Sequence, residues 1–144
     1  MPEPMLVAAS VPSSSLPFSV PMTDAVVLAF DFGTRRIGVA IGNTVTREAR
    51  PLAVIDATAD KRWAEMAALI EEWQPSQIVV GIPRHPDGAA HEMTGRCERF
   101  ARQIEGRYRR SVARVDERYT SVVSGGADDA AAAVILRQWF DEAT

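Results

Sequence analysis

The sequence predicts an α/β domain built on a mixed five-stranded sheet with helices on both faces, its elements running βββαβαβα. Three observations predict it. Two strand-like stretches are joined by a short glycine turn in "VLAFDFGTRRIGVAIG", from Val27 to Gly42. A third, shorter strand-like stretch follows before any helical pattern begins. Beyond residue 60, helical and strand-like periodicities alternate, as they do where crossover helices join parallel strands.

Val26 to Phe32 reads as a buried strand, with Asp31 standing where the apolar pattern points inward. After the Gly33-Thr34 turn, Arg36 to Gly42 ("RIGVAIG") alternates as a second strand. Ala49 to Ile55 ("ARPLAVI") is a third, placed at an edge because Pro51 cannot donate to a ladder. These three are expected to be antiparallel. Asp60 to Trp73 sets Trp63, Met66, Ala67, Ile70 and Trp73 at helical spacing, and Pro75 ends that helix. Gln77 to Ile82 ("QIVVGI") is apolar throughout and suits a central strand, with "GIPRHPDG" as the loop behind it. From His91 to Tyr108, Met93, Cys97, Phe100, Ala101, Ile104 and Tyr108 form one helical stripe, with Arg96, Arg99 and Arg102 elsewhere on the wheel. Ser111 to Val115 returns as a strand ending in "DERYT", and Asp128 to Phe140 is an alanine-rich helix.

Composition bounds the function. A chain of 144 residues with 47% hydrophobic and 24% charged residues is long enough for one well-packed domain. The formal charge of -3 excludes a global positive field, yet Arg84 to Arg118 holds nine arginines against six acids, a local basic excess. The single cysteine, Cys97, has no partner for a disulfide or a zinc cluster, which points to an intracellular, cytoplasmic protein. No apolar run reaches the ~18 residues of a membrane helix. Residues 1–24 carry five prolines, a serine run and no Lys or Arg, so they read as a disordered arm ahead of a domain at 25–144. A chain begun at Met22 is therefore expected to melt within ~1 kcal/mol of the full chain in urea; a larger loss would show that the arm packs.

Acids stand at three comparable places: Asp31 on the first strand, Asp116 and Glu117 at the end of the last strand, and Asp128 and Asp129 opening the final helix. If the first and last strands are near neighbours, Asp31, Glu117 and Asp128 can meet. Such a cluster repels itself unless a cation neutralises it. Hard oxygen ligands favour Mg²⁺ or Mn²⁺, and two such ions ~4 Å apart clamp a phosphodiester for in-line attack by water. Each acid also has a plainer use. Asp31 can bond the turn amides, Asp128 or Asp129 can cap its helix, and Glu117 can pair with Arg114 or Arg118.

"AFDFGTRRIGVAIG", "ARPL", "IVVGIPRHPDG", "DERYT" and "DDAAAAVIL", in this order, resemble the YqgF (RuvX) family over Val26 to Phe140. These are RuvC-like nucleases of the RNase H-like fold, described as Holliday junction resolvases and as nucleases maturing the 5′ end of pre-16S rRNA. The resemblance implies catalysis and Mg²⁺ (or Mn²⁺) binding by Asp31, Glu117 and Asp128, with Asp129 standing where the family has a small residue. It implies phosphate contact by Arg36 and Arg118, a precursor rRNA or branched DNA as partner, no membrane, and a homodimer if a two-fold junction is resolved. One departure is large. The family carries a helix and a basic loop between the DER block and the last aspartate, whereas "SVVSGGA" alone separates Thr120 from Asp128. Extended, seven residues span about 23 Å, enough to join a strand end to a helix on the same rim, with less of the chain to cover a substrate.

Two other readings compete. "DFGT" also resembles the first phosphate loop of actin- and Hsp70-like ATPases, a fold that needs two such domains to enclose nucleotide. A weakly active or inactive nucleic-acid-binding protein of ribosome biogenesis accounts for the short connection and the negative charge, but leaves the intact acid set without a use.

Overall fold

The computed structural model describes residues 26–118 and 128–142. The proposed arm at 1–24 and the short connection before Asp128 lie outside them. The elements are β1 (Val26–Phe32), β2 (Arg36–Asn43), β3 (Glu48–Asp56), α1 (Arg62–Trp73), β4 (Gln77–Arg84), α2 (Thr94–Tyr108), β5 (Val112–Arg118) and α3 (Asp129–Glu142), in the expected order. They form one sheet of order β3-β2-β1-β4-β5. β1, β2 and β3 are antiparallel, and β4 and β5 run parallel to β1.

Alternation along the strands builds two cores. Leu28 and Phe30 of β1, with Ile37, Val39 and Ile41 of β2, face Met66 and Ile70 of α1 and Phe100 and Ile104 of α2. The other residues of β1 and β2, Val27, Ala29 and Ala40, face Ala132, Ile135, Leu136 and Phe140 of α3. On that side β2 offers only small residues at Gly38, Ala40 and Gly42. A Cβ on Gly42 would stand 2.8 Å from Leu136 Cδ2, so α3 lies tight against the sheet because β2 has no side chain there.

Several boundaries differ from the sequence expectation: β4 runs on to Arg84 into the expected loop, and β2, β3 and α3 shift by one or two residues. β5 runs on through Asp116, Glu117 and Arg118, because Ile82, Pro83 and Arg84 of β4 continue to pair with them. α2 begins at Thr94 rather than His91. His91 Nδ1 accepts the Met93 N–H at 3.0 Å and the Thr94 hydroxyl oxygen accepts the His91 N–H at 2.8 Å, which satisfies these amides in a turn. α1 begins at Arg62 rather than Asp60. Pro51 does lie on the edge strand, opposite Ala40 at a break in the β2–β3 register. Among the described residues, no helix is long and apolar enough to cross a membrane.

Candidate active site

The three parallel strands end at one edge, where open α/β sheets place their ligands. Asp31 stands one residue before the end of β1 and shares the face of Val27 and Ala29, toward α3. Its cross-strand partner is Gly38. A Cβ on Gly38 would fall 1.9 Å from the Asp128 carbonyl oxygen, so the start of α3 rests directly on this glycine. The seat brings the Asp128 amide toward the Asp31 carboxylate. Burial pushes the Asp31 carboxyl up to about 6; the Asp128 amide pulls it down, and the charge of Asp128 adds to the rise.

Glu117 reaches the same face from β5, two residues beyond Val115, and its Cγ lies 3.5 Å from where a Cβ of Gly81 would be. Burial, then the charges of Asp31 and Glu142, push its carboxyl up to about 7. Its Oε2 is buried and has no hydrogen-bond partner among the described residues. Beside it Asp116, Glu117, Gln138 and Glu142 line a cavity of about 440 Å³. A larger cavity of about 750 Å³ opens at the opposite edge of β1 and β2, among Val26, Trp73, Arg50 and Arg137, away from both acids.

The structure thus brings Asp31 and Glu117 into each other's field and sets Asp128 against Asp31. Asp128 is also a helix cap: its Oδ1 accepts the Ala131 N–H at 2.7 Å. Asp129 begins the first turn of α3. Glu117 does not pair with Arg114, which instead binds Glu98 and Glu105 of α2. Asp116 is occupied elsewhere, by Arg84 Nε at 3.3 Å. Arg36 is exposed at the start of β2, opposite the turn that follows Asp31, where the Gly33 N–H donates to its carbonyl at 2.9 Å. Arg118 ends β5 directly after Glu117. Among the described residues, no three acidic, histidine or cysteine side chains form a ready-made metal cage.

Sequence reasoning missed Thr94. Its hydroxyl is buried and donates to the Pro83 carbonyl, pinning the start of α2 to the end of β4 at this edge. A threonine three residues into an expected helix was the available signal. Cys97 is buried beneath the same edge, and burial, with Asp31 and Glu98, pushes its thiol up to about 12, so it is no nucleophile.

Without a divalent cation, the fold is expected to lose stability as pH rises from about 5 to about 8. In the unfolded chain Asp31 and Glu117 ionise near 3.8 and 4.5, but in the fold they hold their protons to about 6 and about 7. The folded state binds more protons across that window, so raising pH favours unfolding. Asp56 and Glu105, whose carboxyls lie below their usual values, act in the opposite sense at lower pH. A melting temperature in EDTA that falls by roughly 5 °C from pH 5 to 8, and recovers on adding Mn²⁺ at pH 8, is the expected result.

Comparison with known proteins gives the family and the fold. The family model described as "RuvX: Holliday junction resolvase" matches residues 25–142. Relatives named "Putative pre-16S rRNA nuclease" include one from a Polaromonas species, 53% identical over 118 residues (78% of this chain, 86% of the relative). Another, from Polynucleobacter necessarius, is 48% identical over 129 residues (84% and 88%), and one from Albidiferax ferrireducens is 45% identical over 147 residues (97% and 94%). The 147 aligned positions of the last exceed the 144 residues of this chain, so that relative carries residues without a counterpart here. Among solved structures, Thermus thermophilus RuvC in complex with a Holliday junction substrate is similar in fold, with a TM-score of 0.51, 14% identity, and coverage of 83% of this chain and 95% of that one. The mixed sheet and its order are those of an RNase H-like fold, and with the family match over nearly the whole domain the chain belongs to the RuvX family, a nuclease hydrolysing phosphodiester bonds of nucleic acid.

Proposed function

We propose that the chain hydrolyses phosphodiester bonds near the 5′ end of precursor 16S rRNA. It would use Mg²⁺ or Mn²⁺ held by Asp31 and Glu117, with Asp128 as a third carboxylate. The observation that carries this reading is the half-buried set of acids at the sheet edge: Asp31 lies against Asp128, Glu117 lies in the field of Asp31, and one buried Glu117 oxygen has no donor among the described residues. The pair fits a divalent cation, because one or two carboxylates are the usual protein share around Mg²⁺, with water and substrate phosphate filling the remaining positions. When bound, the cation neutralises phosphoryl charge and acidifies water.

The chain's own residues have separable tasks. Asp31 is held by a central strand and by the Asp128 amide, which fixes its carboxylate on a rigid element. Glu117 and Asp31 would give up their protons where a cation binds, so affinity for Mn²⁺ is expected to rise as pH passes 6 to 7. Asp128 keeps one oxygen on the Ala131 amide and would have the other free to offer a cation. Arg36 on β2 and Arg118 on β5 flank the edge and suit the phosphates on either side of the bond to be cut.

Relatives aligned over most of both chains carry the rRNA name, whereas the likeness to RuvC is one of fold. That favours the precursor over a junction. Resolving a two-fold junction would require two such sites and hence a homodimer, and an rRNA substrate places the activity in the cytoplasm. The test is to incubate a 5′-extended 16S precursor and a four-way DNA junction in parallel with Mg²⁺, Mn²⁺ or EDTA. Trimming of the precursor with either ion, and none in EDTA, is expected. Cleavage of the junction alone would overturn the substrate. No cleavage of either by folded protein would leave a nucleic-acid-binding protein.

A further inference from the structure

Arg96, Arg99 and Arg102 recur every third residue of α2, all three exposed, while Cys97, Phe100, Ala101 and Ile104 face the core. Each step of three rises about 4.5 Å and turns back by about 60°, so the guanidinium groups fan along one side of the helix. Little among the described residues neutralises them. The acids of α2 that could do so are drawn toward the sheet, where Arg114 of β5 takes Glu98 at 3.3 Å and Glu105 at 2.7 and 3.2 Å. Arg102 keeps some attraction to Glu105, but Arg96 and Arg99 ion-pair with no acid among the described residues. Arg107 differs, lying 4.2 Å over the Trp63 ring.

Two further facts bear on the use of this face. Gly95 and Gly106 point the same way as the arginines, and a Cβ on either would meet nothing within 4 Å. Each costs the helix about 1 kcal/mol relative to alanine with no packing in return, and each leaves room for something to approach the backbone closely. The stripe also starts at the catalytic edge. Thr94 is bound to the Pro83 carbonyl, and the Cys97 thiol lies 3.9 Å from the Phe32 carbonyl oxygen, one residue beyond Asp31.

We infer that Arg96, Arg99 and Arg102 form a track for the sugar-phosphate backbone of the nucleic acid, gripping it to one side of the bond that is cut. This rests on the nuclease reading above. α2 covers the face of the sheet opposite the Asp31 carboxylate, so the track holds the flank of the substrate while the acids act on the scissile phosphate. Uncompensated guanidinium groups suit phosphate oxygens, and such contacts fix position without reading sequence.

The test compares the full chain with the triple variant Arg96→Gln, Arg99→Gln, Arg102→Gln, and with the corresponding triple lysine variant. Binding to a long RNA duplex is measured in EDTA across a salt series. The glutamine variant is expected to bind at least tenfold more weakly at low salt, and its plot of log K against log salt to flatten by about 2 to 3. The lysine variant should keep the parental slope, since charge rather than the guanidinium plane sets it. Hydrolysis of bis(p-nitrophenyl) phosphate with Mn²⁺, which reaches only the acids, should be equal in all three. Unchanged affinity and slope in the glutamine variant would overturn the track and leave the stripe to an acidic protein surface. Failure of the parent to hydrolyse the small ester would fall on the catalytic reading, while the salt slope would still report on the track. Single Arg99→Gln, expected to flatten the slope by about 1, serves if the triple variant melts early.

Discussion

Asp31→Asn is expected to abolish divalent-metal-dependent cleavage while leaving the fold intact and, above pH 7 in EDTA, more heat-stable than the parent. The substitution is nearly isosteric, but it removes the charge that the edge of β1 holds under burial and against Asp128. Loss of a carboxylate from an ion that supplies several kcal/mol of transition-state stabilisation lowers kcat at least roughly a thousandfold, at about 1.4 kcal/mol per tenfold. The gain in stability has the opposite cause. An amide does not ionise, so the cost of keeping a charge at this position disappears, and with it much of the decline in melting temperature between pH 5 and pH 8. Glu117→Gln should behave alike, and the double variant should lose little more activity than either single one, because residues serving one ion act as a unit. Undiminished cleavage by purified Asp31→Asn would remove the site.

The strands were legible because their residues agree with their surroundings. β1 and β4 are apolar on both faces and are inner strands with helices on each side. β2 alternates large and small, and the large set lies in one core while the small set admits α3. How far β5 runs was less legible, its regular part being expected to stop at Val115 with the acids at its end. Asp, Glu and Arg have little intrinsic preference for a ladder, and only pairing with Pro83 and Arg84 of β4 holds them in it. That extension decides the chemistry, since strict alternation from Val115 sends Glu117 to the α3 face and leaves Asp116 to Arg84. Asp31 was conspicuous as an acid in an apolar run. The choice between Asp128 and Asp129, by contrast, depends on where α3 begins over β2, a tertiary fact that neither residue type encodes. The same holds for the cap: the hydrogen bond from Ala131 and the neighbourhood of Asp31 both fall to Asp128, so its plainer use and its proposed use are not exclusive.

Gly38→Ala is expected to damage both the fold and the site, because the added methyl group has nowhere to go. Its carbon would stand 1.9 Å from the Asp128 oxygen, 2.2 Å from the Asp128 carbonyl carbon and 2.8 Å from the Asp129 nitrogen, all of them backbone atoms. No rotamer change relieves contacts with backbone. β2 cannot retreat, since it is bonded to β1 on one side and β3 on the other, so the start of α3 must lift. Overpacking of this kind costs about 3 kcal/mol, or roughly 10 °C in melting temperature for a domain of this size. The lift also carries Asp128 and its amide away from Asp31, and a displacement of about 1 Å at a reacting site costs on the order of a hundredfold in rate. Cleavage assayed well below the lowered melting temperature should therefore still fall steeply. Gly81→Ala provides the contrast: its methyl group would meet Ile135 Cδ1 at 2.5 Å and Cγ1 at 3.0 Å, both on a side chain that can turn aside, and Glu117 Cγ at an ordinary 3.5 Å. It should cost less stability and far less activity. If Gly38→Ala instead melted and cut like the parent, α3 would not be seated on this glycine, and the placement of Asp128 beside Asp31 would lose its structural basis.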